Sequence, residues 1–239
     1  MPLPTIATPT YELELPSTGK NVKYRPFLVK EEKLLVLALE SENKKDISNS
    51  IKAVLKNCIQ TKGIRVETLP TFDIEYLFLN IRGKSVGEEV ELNVICPDDG
   101  ATTVPVKINL DDIKIKKNDK HSKMIKLDDK LMMEMKYPSL DEFIKNNFDF
   151  TGEISMDQSF DLIASCIDKI YNDEEVWSTA DCTKKEVREF LEQMNSIQFK
   201  DIEKFFETMP KLTHTITVTN PKTKKENTIT LEGLASFFA

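Results

Sequence analysis

One segment constrains the fold of this chain more than any other, because it predicts a helix that has no polar face. It reads KYRPFLVKEEKLLVLALES from Lys23 to Ser41. Glu31 and Glu32 stand in the first helical turn, where the helix dipole favours negative charge. The apolar run Leu34–Leu39 follows, and a helix that is apolar on all sides has to be covered. We therefore expect Leu34–Leu39 to lie in the core.

An extended segment precedes this helix. Apolar residues alternate with polar ones on both sides of the turn sequence PSTGKN, which predicts a β-hairpin. The alternating apolar positions are Tyr11, Leu13, Leu15, Val22, Tyr24 and Phe27. Pro26 excludes Arg25 from the helical region and marks an irregular end of the second strand.

Two further helices and a second hairpin are predicted next. Apolar residues at spacings of three and four indicate helices over 47–59 and 74–81. The period then changes to two over Val90–Cys96 and again over Val104–Leu110, on either side of the tight turn PDDG. This is the clearest hairpin pattern in the chain.

The second half of the chain is predicted to be mainly helical. Helical patterns cover 140–147, 157–171, 183–194 and 200–209, and a closing hairpin begins at Leu212. The sequence thus predicts an α+β fold in which β-hairpins combine with helical bundles. We expect an N-terminal α+β domain over 1–137, and a mainly helical domain over 138–239 that a hairpin and a short apolar helix close.

Composition excludes several classes of protein. The 239 residues include 31% charged residues and carry a net charge of −7, which opposes a general attraction to nucleic acid. The longest apolar run has six residues, whereas about 20 are needed to cross a bilayer. We expect no membrane span and no export signal. The four cysteines are far apart, which favours a reducing compartment and cytoplasmic synthesis over a disulfide framework.

The sequence offers little support for catalysis. His214 falls in phase with apolar residues of its strand, and His121 lies in a lysine-rich loop, so neither predicts a metal site. Cys96 continues an apolar strand face and is expected to be structural. No nucleotide-binding or serine-hydrolase motif occurs. We predict no catalytic residue, metal ligand, cofactor or small-molecule substrate. The alternative hypothesis is an enzyme that uses an acidic site such as residues 173–175.

Two segments can be interpreted in more than one way. The lysines between Lys114 and Lys126 fit a nucleic-acid contact, a solvated connector or a docking site for protein. The missing interleaved aromatic residues and the acidic chain favour the connector or the protein docking site over nucleic acid. The apolar C-terminal turn can fold back onto the chain's own core or dock on a partner. Its apolar residues are Leu231, Leu234, Phe237 and Phe238.

The chain resembles a known family at both ends. LELPSTGKNVKYRPFLVKEEKLLVLALES is similar to the N-terminal pattern of the baseplate hub and hub-assembly family of T-even-type contractile-tailed bacteriophages. LTHTITVTNPKTKKENTITLEGLASFF is similar to the closing hairpin and short helix of that family. Relatives often carry paired cysteines in such hairpins, whereas this chain has only Cys96, so no zinc site is carried over.

The resemblance implies a non-enzymatic protein that helps to build the baseplate hub in the host cytoplasm. It acts either as a chaperone-like assembly factor or as a subunit that stays in the tail, and its partners are other hub proteins. Because aromatic residues and arginine often anchor interfaces, we predict a surface-facing start at residues 24–27. The predicted partner contacts are Tyr24, Arg25, Phe27, Leu234, Phe237 and Phe238.

Overall fold

The computed structural model describes residues 6–41, 43–140 and 156–237. The chain forms two compact units. Met1–Lys116 and Lys211–Ala239 make up the first unit, and Lys117–Pro210 makes up the second. This division differs from the predicted domains 1–137 and 138–239, because the closing hairpin belongs to the same unit as the N-terminal half.

Both units contain strands and helices. The strands in the described residues are β1 (Tyr11–Glu14), β2 (Asn21–Tyr24), β3 (Glu89–Ile95), β4 (Thr103–Asn109), β5 (Lys114–Lys116), β6 (Met124–Lys126), β7 (Met132–Met135), β8 (Ile167–Tyr171), β9 (Val176–Ser178), β10 (Lys211–Thr219) and β11 (Glu226–Glu232). The α-helices are α1 (Val29–Glu40), α2 (Lys44–Cys58), α3 (Thr71–Val86), α4 (Met156–Ser165), α5 (Lys184–Glu192) and α6 (Ser196–Thr208).

Three antiparallel hairpins of the first unit confirm the period-two patterns. β1 pairs with β2, β3 with β4, and β10 with β11. β10 also pairs with the short strand β5, so that β11, β10 and β5 form one sheet. This last pairing ties the closing hairpin to the first unit.

The β3–β4 hairpin, the three-stranded sheet and α3 bury a shared apolar cluster. Alternate residues of β3 face inward because side chains alternate across a strand. The cluster includes Leu79 of α3, Leu212 of β10 and Phe237 of the C-terminal 3-10 turn Leu234–Phe237. Burial of Phe237 shows that the C-terminal turn folds back onto its own core.

The second unit contains an antiparallel sheet in the order β6-β7-β8-β9. One face of this sheet and residues of α4, α5 and α6 form a separate apolar cluster, which includes Met133, Ile167, Leu191 and Phe205. The unit therefore has its own core. α5 and α6 begin with capping boxes at Thr183 and Asn195. α5 starts where the sequence predicts a helix, whereas α6 starts at Ser196, before the predicted range 200–209.

The α+β class is correct, whereas the mainly helical second half is not confirmed. Helix was predicted over 157–171, but α4 ends at Ser165 and Ile167–Tyr171 is strand β8. Ile167 and Ile170 satisfy helical spacing, yet their β-branched side chains also suit a strand that is buried between β7 and β9. Almost all of the helix predicted over 140–147 lies outside the described residues.

Candidate interaction surface

A buried ion pair holds the N-terminus of α1. The Nη2 atom of Arg25 lies 3.0 Å from Oε1 of Glu31, whose side chain is completely buried. Nη1 of Arg25 donates to the carbonyl oxygen of Pro26 at 2.8 Å. Oε2 of Glu31 accepts the backbone N–H of Leu28 at 2.8 Å, which satisfies an amide that the start of a helix otherwise leaves without a partner.

The hydrogen bonds of this pair favour the charged form of Glu31. Burial alone would disfavour the carboxylate of Glu31, but hydrogen bonds from Arg25 and from the Leu28 amide outweigh it and lower its pKa. Cys58 Sγ lies 3.7 Å from Nη1 of Arg25, and burial raises the pKa of this thiol to about 11. Cys58 is therefore a protonated packing group at neutral pH and not a nucleophile.

The end of α2 fixes the strand that leads into this ion pair. The backbone N–H of Arg25 donates to the carbonyl of Cys58 at 3.0 Å, and the N–H of Gln60 donates to the carbonyl of Lys23 at 2.8 Å. These bonds form an antiparallel bridge between Tyr24 and Ile59 on the edge of β2 that does not pair with β1. α1 thus begins on a rigid base that β2 and the end of α2 build together.

The sequence predicts that residues 24–27, just before α1, face the surface, and the structure shows that this is wrong. Tyr24 is 2% exposed, and its ring stacks on Tyr11 with 5.8 Å between centroids. Phe27 is buried, and its backbone N–H donates to Oγ of Ser85 at 2.9 Å. These residues and Arg25 form the base of α1, because Pro26 directs the chain inward before the helix starts. Their role in partner binding stays a prediction.

The expectation that Leu34–Leu39 lies in the core is wrong for most of this segment. Ala38 is buried and Leu35 is half-buried, but five other aliphatic side chains of α1 are between 42% and 79% exposed. These side chains are Val29, Leu34, Val36, Leu37 and Leu39. α1 packs against α2, and the short connection 41–43 makes a two-helix hairpin whose outer side has no covering element among the described residues. We call these five side chains the α1 face.

A groove runs beside this face, between α1 and α2. Small side chains line much of it, so that a partner could approach both helix backbones closely. Its lining residues are Leu34, Leu37, Ala38 and Ser41 of α1 and Asp46, Asn49, Ser50 and Ala53 of α2. The volume of the groove is about 450 Å³.

The described C-terminal residues that the sequence predicts to contact a partner pack inward instead. Phe237 is 1% exposed in the core, Leu234 is half-buried against it, and Phe238 lies outside the described residues. The backbone N–H of Leu234 donates to Oε1 of Glu75 at 3.1 Å. Burial raises the pKa of Glu75 to about 7, and the nearby carboxylate of Glu232 acts in the same direction.

The tips of two hairpins are joined by hydrogen bonds. Asp98, after β3, accepts Nδ2–H of Asn220 at 2.8 Å and the hydroxyl of Thr223. The backbone N–H of Asp98 donates to Oδ1 of Asn227 at 3.1 Å. The side-chain donors lower the pKa of Asp98. Cys96 is buried in the apolar cluster of the first unit, as the sequence predicts.

The remaining candidates for chemistry do not converge. His214 is half-buried in β10 opposite Leu231. His121 contacts Oγ1 of Thr208 at 2.9 Å and the hydroxyl of Tyr137 at 3.0 Å, in the other unit. Among the described residues, no group of three or more His, Cys, Asp or Glu side chains could hold a metal ion. None of the helices described there is long and apolar enough to span a membrane.

Comparison with known proteins identifies the family. A family model described as the T4 bacteriophage base plate protein matches residues 8–239. The chain belongs to this family. It is therefore a phage baseplate protein with a structural or assembly role, and the family indicates contacts with other baseplate proteins and the tail baseplate as the place of action. No curated protein and no solved structure matches the chain.

Proposed function

We propose that this baseplate protein is a non-enzymatic, chaperone-like factor that promotes formation of the hub of a contractile tail. It acts in the host cytoplasm, where its α1 face docks on an apolar surface of another hub protein. The observation that carries this proposal is the exposure of the five aliphatic side chains of α1. An apolar helix that the described part of its chain leaves uncovered is typical of an interaction site.

The size of the α1 face favours a transient contact over a permanent one. Burying a whole aliphatic side chain contributes about 1.5–3 kcal/mol, and these five are already about half covered, so a partner adds roughly 1 kcal/mol for each. The total is of the order of the lower estimates for the cost of association, about 4–15 kcal/mol. Such a contact suits an assembly factor that leaves its product.

The cores of the two units also support a factor that exists free of its partner. Each unit buries its own cluster, and neither cluster includes a residue of the α1 face. Docking therefore does not have to complete a core. A permanent subunit of the hub remains the second candidate, because the same apolar face would suit a stable interface if further surfaces joined it.

An enzymatic role has less support. The acidic residues of the alternative hypothesis, 173–175, are exposed in the turn between β8 and β9. The backbone N–H groups of Glu174 and Glu175 donate to Oδ1 of Asn172 at 2.8 and 2.7 Å. This is the geometry of an Asx turn, and the three carboxylates face water.

Quantitative mass spectrometry of purified particles and of infected-cell lysate distinguishes the two candidates. An assembly factor is abundant in lysate and absent from mature particles when both are normalised to a known baseplate component. A fixed ratio to that component in mature particles would contradict the proposal and assign the chain as a hub subunit.

A further inference from the structure

The second unit contains a small surface cavity that is lined with lysines. The cavity lies between the segment 120–126 and helix α6, and its volume is about 190 Å³. Its lining residues are Lys120, Ser122, Met124, Ile125, Lys126, Asp201, Lys204, Phe205 and Thr208. Three ammonium groups and two hydroxyl groups thus surround an apolar floor.

The charge of this cavity is opposite to that of the whole chain. Lys120 and Lys204 form no ion pair with any described residue. Nζ of Lys126 lies 2.8 Å from Oδ1 of Asp129, but that carboxylate is 98% exposed, and such surface pairs contribute little and open readily. With Asp201 as the single acid in its lining, the cavity is positive in a chain of net charge −7.

The lysine-bearing segment is held in place by its histidine. Oγ1 of Thr208 donates to the carbonyl of Lys204 at 2.6 Å and therefore accepts Nδ1–H of His121 at 2.9 Å. The imidazole ring also packs on Phe205, with 5.1 Å between centroids. His121 thereby joins the loop that carries Lys120 to the helix that carries Lys204, and the two lysines line one site.

Size and surroundings indicate what this cavity can accept. Pockets for free small molecules have volumes of about 300–1,000 Å³, so a cavity of about 190 Å³ suits a single charged group of a larger partner. Single-stranded nucleic acid is bound by exposed aromatic rings on which bases stack. Phe205, the one aromatic residue in the lining, is buried and offers no such platform.

We propose that the cavity formed by Lys120, Lys126 and Lys204 is a second docking site, which binds the carboxylates of an acidic segment of another protein. It lies in a different unit from the α1 face, and its function does not depend on that face. Complementary charge gives such a site fast, salt-sensitive association and selects an acidic partner over an apolar one.

Fluorescence anisotropy of the full chain tests this proposal. The probes are a labelled peptide of eight glutamates and a labelled eight-nucleotide DNA strand of mixed sequence, both at low ionic strength. The main variant is Lys120→Glu with Lys204→Glu, and a milder pair, Lys120→Gln with Lys204→Gln, serves if charge reversal disturbs folding. The control is Lys184→Glu with Lys185→Glu on α5, whose side chains are exposed and do not line the cavity.

We expect the acidic peptide to bind and the charge-reversed pair to weaken it by roughly tenfold or more, with the glutamine pair intermediate and the control close to wild type. Affinity falls with added salt. Equal affinity of the cavity variants and the control overturns the proposal, as does absence of peptide binding. If the DNA strand bound more tightly than the peptide, and if this binding depended on Lys120 and Lys204, the cavity would be a nucleic-acid site and the proposal would be overturned.

Discussion

The Nη2 atom of Arg25 lies 3.0 Å from the Oε1 atom of Glu31, and the two residues stand on either side of the turn that starts α1. The carboxylate of Glu31 is completely buried and also binds the amide of Leu28. This pair explains why Arg25 and Glu31 occur beside an apolar helical segment. The two residues fix the base of α1, and the α1 face projects from that base.

Removing one charge of this pair is expected to destabilise the protein strongly. In Glu31→Gln the guanidinium of Arg25 keeps its charge but loses its counter-ion, and breaking a buried pair costs about 3–5 kcal/mol of unfolding free energy. Urea unfolding monitored by circular dichroism measures the change. Hydrogen exchange should also become faster for the amides of α1.

The neighbouring glutamate provides a matched control for this change. Glu32 is exposed in the same turn, so Glu32→Gln should alter stability by less than about 0.5 kcal/mol. If the variants at 31 and 32 unfolded at the same urea concentration, the buried pair would not be the anchor of α1.

Glu75 predicts a stability that depends on pH. Its pKa is raised from 4.5 to about 7 by burial, so folding favours the protonated form. The contribution is complete below about pH 4.5 and is lost as the pH rises through 7, which amounts to about 3 kcal/mol. Glu75→Gln should therefore raise the melting temperature relative to wild type at pH 8 and have little effect at pH 4.5.

The exposed residue Glu226 on β11 allows the same amide substitution without this burial. Glu226→Gln should leave the difference between pH 4.5 and pH 8 unchanged. A Glu75→Gln variant that is less stable than wild type at pH 8 would show that the Leu234 amide requires a charged acceptor.

The hydrogen bonds between the two hairpin tips should stabilise the protein. Asn220 is fully buried, donates to Asp98 and accepts the backbone N–H of Lys222 at 2.9 Å. Asn220→Ala removes these bonds and is expected to lower the melting temperature by about 4 °C or more. A lost buried hydrogen bond costs about 1–3 kcal/mol of unfolding free energy, and each kcal/mol shifts the melting temperature of a domain of this size by a few degrees.

The hairpin tips should be insensitive to metal, because hydrogen bonds join them. EDTA should therefore leave the melting temperature of the wild type unchanged. A decrease on addition of EDTA, reversed by zinc, would mean that a metal and not the Asp98 network joins the two tips. Thr217→Ala at an exposed position of β10 provides the comparison for Asn220→Ala, and it should have a smaller effect.

The sequence predicted the hairpins better than it predicted what covers the helices. A period of two specifies which face of β3 or β10 is inward, because a shift by one residue would expose every apolar side chain. No such rule applies to α1. An all-apolar run shows that Leu34–Leu39 needs cover, but not whether the cover belongs to the same chain or to another.

Other differences have equally local causes. Ile167 and Ile170 fit both periods, so only pairing with β7 and β9 makes them a strand. The Arg25–Glu31 pair was missed because burial of a charge is not visible in composition. The available signal was an arginine just before a proline-marked helix start and a glutamate at its third position, where it can reach back to the first amide.

The α1 face is the centre of this account, and hub formation in infected cells tests it most directly. Phage that carry Leu37→Gln with Leu39→Gln should accumulate unfinished hubs and yield roughly tenfold fewer infectious particles, or fewer still. The purified variant should melt within about 2 °C of wild type, because both side chains are more than half exposed. The control is Ile95→Gln with Ile197→Gln, two exposed aliphatic positions outside α1. Normal yield from the control with loss of hubs from the α1 variant is the predicted result. Normal hubs and normal yield from the α1 variant would contradict docking through α1.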